Sequence, residues 1–411
     1  MEKTVAIFGT LDTKGPEIAY LRDRLKALGV GTTVIDFGIL GEPLGIIPDI
    51  TNAEVARAAG TDIESLRNAG SRGKAVHGMR AGIRNIALEL FAEGKLDAVT
   101  SLGGAEGAVM AATAMKALPV GIPKVLVTPI ASGHRRFGPL VGTRDVMVVH
   151  SVIDILGLNP ISTTIYDNVA AALKGMLEYG HSLPSEHSGR HVAITMLGNT
   201  TRAVMMIRDH LARAGLEAVI FHSNGVGGPA MEELAEQGLF CGVIDFTTDE
   251  LTDDLVGGFH KGGPDRLMRI GKLGLPQVVV PGCIDFSVHG PPEQVPPQLR
   301  NRPFYDHNPE FTLIRTSKHE MGMLGKMFAE RLNQAKGPVE VLVPTRGLSI
   351  PNVPGGPFWD PEADQEFLNH LRESIRENIP VLDYPEHINS ENFAETVAKR
   401  FLALLNGKDV S

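Results

Sequence analysis

Three short runs in the first half of the chain carry residue types suited to holding a small anion. The run GTLDTKG at 9–15 offers two hydroxyls, a carboxylate at Asp12, an ammonium at Lys14 and a glycine at each end. It follows an apolar run and precedes a helical pattern. The free N–H groups and partial positive charge of a helix start suit a phosphate there. The same run also reads as a plain capped helix start, with Asp12 or Thr13 as the cap. It is neither a Walker A loop nor a G-x-G-x-x-G loop. The run GGAEG at 103–107 places Gly103 and Gly104 before Ala105 and Glu106, so the backbone can approach a ligand closely. Glu106 fits three roles: a first-turn acid that favours the helix dipole, a general base, or a Mg²⁺ ligand. Arg72, Gly73 and Lys74 put two cations at a further helix start, where solvated caps are the alternative.

The second half has its own set. SNGVGG at 223–228, DFTTDE at 245–250, CID at 283–285 and TRG at 345–347 each lie near the end of a strand pattern. His222 and Asp285 join Glu106 as acid/base candidates, and Arg346 joins Lys14 as an anion holder. Cys283 lacks a Cys–His motif and reads as a buried, inert thiol. ASGHRR at 131–136 and GTRD at 142–145 read as a ligand rim or as surface loop. The histidines show no zinc spacing, so no intrinsic metal is expected.

The elements that must position these residues are short β-branched runs alternating with helical periodicity. In the first half, strands are expected at 4–8, 32–37, 97–102 and Lys124–Thr128. Helices are expected at 17–27, 74–92 and Ala105–Ala117. A polar, Gly/Pro-bearing insertion separates the second and third strands at about 41–71. Gly, Ser, Pro and His dominate 180–190, which reads as a linker. The rhythm then repeats: Val5-Ala-Ile recurs as Val192-Ala-Ile, and Leu25-Lys-Ala-Leu-Gly as Leu211-Ala-Arg-Ala-Gly. After a Pro-rich excursion at 290–309, a strand at 312–315, a helix at 318–334 and the strand Val339–Pro344 resume the pattern. Helices at 364–378 and 390–405 end the chain, the last amphipathic and fit to pack across the linker. The fold class is therefore α/β, with two doubly wound Rossmann-like domains at 1–182 and 190–411, mainly parallel sheets and a cleft between them.

Composition narrows the function. The 411 residues are 43% hydrophobic and 21% charged, which suits a globular chain rather than a disordered one. No apolar run approaches the ~18 residues that span a bilayer, so no membrane association is expected. The strand pattern begins at Thr4, leaving no room for a signal peptide. A net charge of −9 argues against nucleic acid, and two cysteines argue against a disulfide framework. A cytoplasmic location fits.

The strings LGG at 102–104, LPVGIPK at 118–124, NGVGG at 224–228, VPG at 280–282, HNP at 307–309, PTRG at 344–347 and GPFWDPEAD at 356–364, with GTLDTK at 9–14, resemble a family of uncharacterised bacterial proteins. That family also includes the N-terminal ATP-binding domain of a plant tobamovirus-resistance protein, an inhibitor of viral RNA replication. The resemblance implies two Rossmann-like subdomains, a homodimer, and an ATP site, with or without Mg²⁺, on the first. It places nucleotide contacts at Asp12, Thr13, Lys14, Gly38, Arg72, Gly73, Lys74, Gly103, Gly104 and Ala105, with Glu106 alongside. The family's loop is usually Gly-Gly-Ser-Gly-Gly-Thr. Here Gly103-Gly-Ala-Glu-Gly-Ala108 loses two hydroxyl donors, each worth on the order of 1 kcal/mol, and gains a carboxylate. The expected role is binding a nucleotide. The alternatives are an enzyme acting on a small acidic or phosphorylated substrate in the interdomain cleft, and a non-catalytic regulatory binding protein.

Overall fold

The structure is a computed structural model that describes residues 3–132, 138–181, 183 and 189–407. The chain divides into two compact units, residues 1–184 and 185–411.

In the first unit the apolar alternation of β1 (Thr4–Gly9) sends Val5 and Ile7 to one face and Ala6 and Phe8 to the other. Both faces are covered, as a parallel sheet requires. Helix α1 (Leu11–Ala27) buries Ile18, Leu21 and Leu25 on the Val5 face. At about 1.5–3 kcal/mol each, such side chains fix its rotation. The remaining elements are β2 (Gly31–Asp36), α2 (Asn52–Ala58), α3 (Ile63–Arg67), α4 (Arg72–Ala92), β3 (Ala98–Leu102), α5 (Ala105–Ala117), β4 (Lys124–Thr128), α6 (Gly138–Val141), β5 (Met147–His150) and α7 (Pro160–Tyr179). The five strands run β2-β1-β3-β4-β5 and every pair is parallel. Helices α4 and α5 cover the Phe8 face through Met79, Ile83 and Met115. Helix α7 joins α1 on the other face through Tyr166, Val169 and Leu173.

The second unit begins with β6 (His191–Met196), α8 (Thr201–Arg213), β7 (Glu217–His222), α9 (Gly227–Glu236), β8 (Gly242–Thr247), α10 (Asp249–Val256), α11 (Arg269–Leu273) and β9 (Gln277–Gly282). It continues through β10 (Phe286–His289), β11 (Phe304–Asn308), β12 (Phe311–Arg315), α12 (Lys318–Leu332), β13 (Val339–Pro344), α13 (Pro361–Ser374), β14 (Val381–Tyr384) and α14 (Glu391–Leu405). Six strands form a parallel sheet in the order β14-β13-β9-β8-β6-β7. The α/β class with mainly parallel sheets therefore holds.

Three local expectations change. Helix α1 starts at Leu11, not 17, so Asp12, Thr13 and Lys14 sit in its first turn. Thr10 occupies the cap position without a side-chain cap bond. Pro16 lacks an N–H, and Lys14 (φ −124°) absorbs the kink without ending the helix. The insertion holds two helices, α2 and α3, capped by Thr51 and Asp62. The strand expected at 312–315 belongs to a separate antiparallel sheet, β10-β12-β11. Asn308 Oδ1 accepts the N–H groups of Glu310 (2.9 Å) and Phe311 (3.0 Å), which closes a hairpin too short for a parallel crossover. Helix α14 packs beside α8 on the second unit's own sheet, through Phe393, Val397 and Phe401; residues 184–188 of the expected linker lie outside the described residues.

Candidate functional site

The first sheet's order dictates where a crevice forms. The chain leaves β1 toward β2 on one side, then returns to β3 on the other. The loops after β1 and β3 therefore diverge, at the carboxyl edge where open α/β sheets bind ligands. The register brings Gly9 beside Asp36 and Phe8 beside Ser101 at that edge. A cavity of about 650 Å³ opens there.

One side of it is polar. Thr10, Asp12, Thr13 and Lys14 line it from the start of α1, Ser71 from the cap of α4, and Gly104, Ala105, Glu106 and Gly107 from the start of α5. Three helix N-termini thus meet one cavity. Helix α5 is capped by Gly104, with no side-chain cap bond on its first N–H groups. The other side is apolar, formed by Phe37, Ile39, Leu40, Leu66, Val76 and Met110.

The wall is tied to the floor by carboxylates. Asp12 Oδ2 accepts the N–H groups of Leu40 (3.3 Å) and Gly41 (3.2 Å). Asp36 is fully buried, and its Oδ1 accepts those of Leu11 (3.1 Å) and Gly38 (2.8 Å), while its Oδ2 has no partner. Burial raises the Asp36 carboxyl to about 6, against the opposing pull of those two bonds. The strap beyond Gly38 lies so close to α1 that a Cβ on Gly15 would fall 1.8 Å from the Leu44 carbonyl oxygen. The Lys14 ammonium donates to the Ile155 carbonyl, so part of its hydrogen-bonding capacity is committed.

Of the residues proposed from sequence for nucleotide contact, Asp12, Thr13, Lys14, Gly104, Ala105 and Glu106 share this cavity. Gly38 and Gly103 lie behind it. Gly38 donates to Asp36, and Gly103 donates to the Val127 carbonyl at 3.0 Å. Gly73 and Lys74 are exposed on α4 and do not line the cavity; the Arg72 side chain lies outside the described residues. Arg67 lines it instead, with Nε donating to the Ile39 carbonyl (2.7 Å) and Nη1 to Glu64 (2.7 Å). The apolar wall was not legible, because its residues come from a strand end, a loop and three helices. Asp36 was legible in principle, as an acid at the end of the second strand.

Residues 133–136 of the run at 131–136 lie outside the described residues. The loop at 142–145 is a brace rather than a rim. Asp145 receives Lys124 Nζ (2.7 Å) and the Gly121 N–H (2.8 Å), and Arg144 Nε donates to the Leu118 carbonyl (3.0 Å).

In the second unit, the glycine-rich loop at 223–228 wraps a carboxylate of its own chain. Glu250 Oε1 accepts the N–H groups of Gly225 (2.8 Å) and Gly228 (3.2 Å), and its Oε2 accepts Arg266 Nε (2.5 Å). Arg266 is itself buried and also holds Asp245 at 2.5 and 2.7 Å. Asp285 is fully buried and takes the Ser349 hydroxyl at 2.6 Å; burial raises its carboxyl to about 6. Its side chain is closed off from solvent, and its Oδ1 has no partner. Arg346 is exposed on the loop after β13, with its N–H on the Glu386 carbonyl. Cys283 is buried at φ 63°, and burial holds its thiol well above the usual value, so it is no nucleophile. His222 ends β7 and lines a separate, smaller cavity. Among the described residues, no group of three His, Cys, Asp or Glu is placed to hold a metal.

The sequence model for the N-terminal domain of the uncharacterised protein family UPF0261 matches residues 3–182, and that for its C-terminal domain matches residues 190–405. The chain belongs to this family. It is 39% identical over 406 residues to a UPF0261 protein of Clostridium tetani, covering 98% of this chain and 100% of that protein. A UPF0261 protein of Mesorhizobium japonicum is 36% identical, covering 96% of this chain and 98% of its own length. The ToMV susceptible protein tm-1(GCR26) of Solanum lycopersicum is 33% identical over 97% of this chain, which spans 55% of that longer protein. Among solved structures, a UDP-N-acetylglucosamine 2-epimerase from Rickettsia bellii aligns over 99% of this chain and 96% of its own at 12% identity. Its TM-score of 0.23 carries no argument.

Proposed function

We propose that the first unit binds a nucleotide, ATP by family resemblance, at the carboxyl edge of its sheet. One observation carries this reading: the crevice between the β1 and β3 loops has helix N-termini on one side and an apolar wall on the other. Helix starts favour phosphate through unpaired N–H groups and the helix dipole. A wall of Phe37, Ile39, Leu40, Leu66, Val76 and Met110 suits the flat, apolar faces of a base. Glu106 opposes a bare phosphate at the start of α5, so Mg²⁺ between the carboxylate and the phosphates is part of the proposal. Binding without turnover and binding with hydrolysis are both compatible with this arrangement.

Calorimetry of the full chain with ATP, with and without Mg²⁺, tests it. Saturable binding is expected, and Lys14→Ala should weaken it by roughly 1–3 kcal/mol, the range for a charge-assisted contact. Equal binding by wild type and Lys14→Ala, or no binding at all, sinks the reading. The resemblance also implies a homodimer, which sedimentation equilibrium at micromolar concentration checks.

A further inference from the structure

We propose that the second unit carries a proton-transfer site of its own, in which His260, backed by Asp249, acts as general base toward a small uncharged hydroxycarbonyl compound. The site is independent of the nucleotide reading and lies wholly within this unit.

Position comes first. In the second sheet β6 is flanked by β7 on one side and β8 on the other, so the loops leaving β6 and β8 diverge as those of β1 and β3 do. A cavity of about 220 Å³ occupies that edge, below the ~300 Å³ at which drug-sized pockets begin. Its polar lining is His260, His222, Asn199 and Asn308; Phe311 and Leu313 contribute to its apolar side.

The geometry of His260 is that of a held base. Its Nδ1 lies 2.9 Å from Asp249 Oδ2. A carboxylate accepts only, so Nδ1 carries a proton, and in the neutral ring the Nε2 lone pair is left for a ligand. Asp249 is fully buried, and its other oxygen takes the Ser223 hydroxyl at 2.6 Å, which fixes the carboxylate. The His260 N–H donates to Asp253 Oδ2 at 2.7 Å, and the Phe311 ring meets the imidazole edge-on at 6.4 Å. Burial alone would push the imidazole pKa down, but the Asp249 bond and the nearby acids hold it above its usual value. By contrast, a more open concavity of about 710 Å³ contains His387, whose ring nitrogens both have partners, the Ser349 carbonyl (2.9 Å) and the Asn389 N–H (3.1 Å).

The lining selects the ligand class. Among the described residues no lysine or arginine lines the cavity, and Asp249, Glu250 and Asp253 are close to His260. That field disfavours a phosphorylated or carboxylated substrate. Amides and imidazoles hydrogen-bond hydroxyl and carbonyl oxygens. In the step, His260 Nε2 takes the proton from the carbon next to the carbonyl. The C–H electron pair becomes a C=C bond, and the carbonyl π pair moves onto oxygen, where the side chains of Asn199, Asn308 or His222 can meet it. Return of a solvent-exchanged proton to the same carbon gives exchange; its delivery to the former carbonyl carbon, with the hydroxyl proton passing from its own oxygen to the former carbonyl oxygen, gives isomerisation. No oxidant or co-reactant is needed.

The probes are hydroxyacetone and dihydroxyacetone in D₂O, with deuterium uptake followed by proton NMR on the full chain. Uptake above the buffer rate is expected, falling by about 100-fold or more in His260→Gln. In Asp249→Asn the ring ¹⁵N shifts should show loss of the Nδ1–H tautomer along with a lower rate, a signature that a merely structural role for Asp249 would not give. A measurement needing no variant is the His260 Nε2 shift of the wild type, which should move saturably on adding hydroxyacetone. Uptake at the buffer rate with both probes, an unmoved Nε2 signal, or an undiminished rate in folded His260→Gln overturns the proposal.

Discussion

The two units differ in how far their own side chains fill the space at their carboxyl edges. In the first, the starts of α1, α4 and α5 face an open cavity of about 650 Å³. In the second, the N–H groups of Gly225 and Gly228 are already satisfied by Glu250, which Arg266 neutralises from behind. The first unit leaves these helix starts lining open space, although Asp36 takes the Leu11 N–H; the second fills its glycine-rich loop with its own carboxylate. What stays open in the second unit is a small cavity carrying a histidine. Similar sheet topology therefore does not imply the same ligand, because side chains from following elements decide whether a loop is occupied from within.

The largest expected effect tests the internal filling. Arg266→Ala leaves Asp245, Glu250 and the nearby Glu232 buried without their counter-charge. Loss of about 3–5 kcal/mol in urea unfolding at neutral pH is expected, as for other broken buried pairs. The loss should shrink at acid pH, where the carboxyls protonate. An effect under 1 kcal/mol would mean that the network is not what closes this loop.

Next is Asp36, whose buried carboxyl is raised from 3.8 to about 6. A carboxyl raised in the folded state contributes stability below its ordinary value and loses it as pH rises through about 6. The total change across the window amounts to about 3 kcal/mol at most. Asp36→Asn keeps an oxygen for Leu11 and Gly38 and removes the charge. Its stability should therefore fall less than that of wild type across this window, read as urea midpoints against pH.

Gly15→Ala would drive a methyl into the Leu44 carbonyl. A cost of about 1–3 kcal/mol in stability is expected, together with weaker nucleotide binding as the strap lifts. Retained affinity at wild-type stability would show that the strap does not shape the cavity.

The smallest effect concerns Glu106. Glu106→Gly should strengthen metal-free ATP binding by on the order of 1 kcal/mol, by removing a carboxylate from the start of α5. Calorimetry without Mg²⁺ checks it, and weaker binding in the variant would point to Glu106 as a positive contact.

Much of this was legible because it is local. Helix α5 could be bounded from Gly103-Gly104 at its start and its alanine- and methionine-rich periodicity, and β4 from its β-branched run. Helix α1 was harder. Pro16 reads as a stop, and as the sixth residue of α1 it does forfeit a helix bond, but the non-helical backbone at Lys14 accommodates it and the helix runs on. The edge strands β5 and β14 are only four residues each, too short for their apolar residues to show a period. In the candidate site, the runs at 9–15 and 103–107 were legible as residue types next to helix starts. The involvement of Arg67 and the absence of Lys74 from the lining were not, because they depend on how the insertion folds against α4.

The sequence by itself determined most of the alternation of strands and helices, the parallel class of the two main sheets, and which loops leave their carboxyl edges. These follow from periodicity and turn chemistry, which act over a few residues. Only the tertiary structure decided which of those loops face open space. Glu250 lies about twenty-five residues beyond Gly225, and Asp249 meets His260 only once the chain has turned back after α10. Those are contacts between segments that share no local pattern. Burial fixes them: each polar group taken out of water must find its partner in whichever segment the packed core brings near.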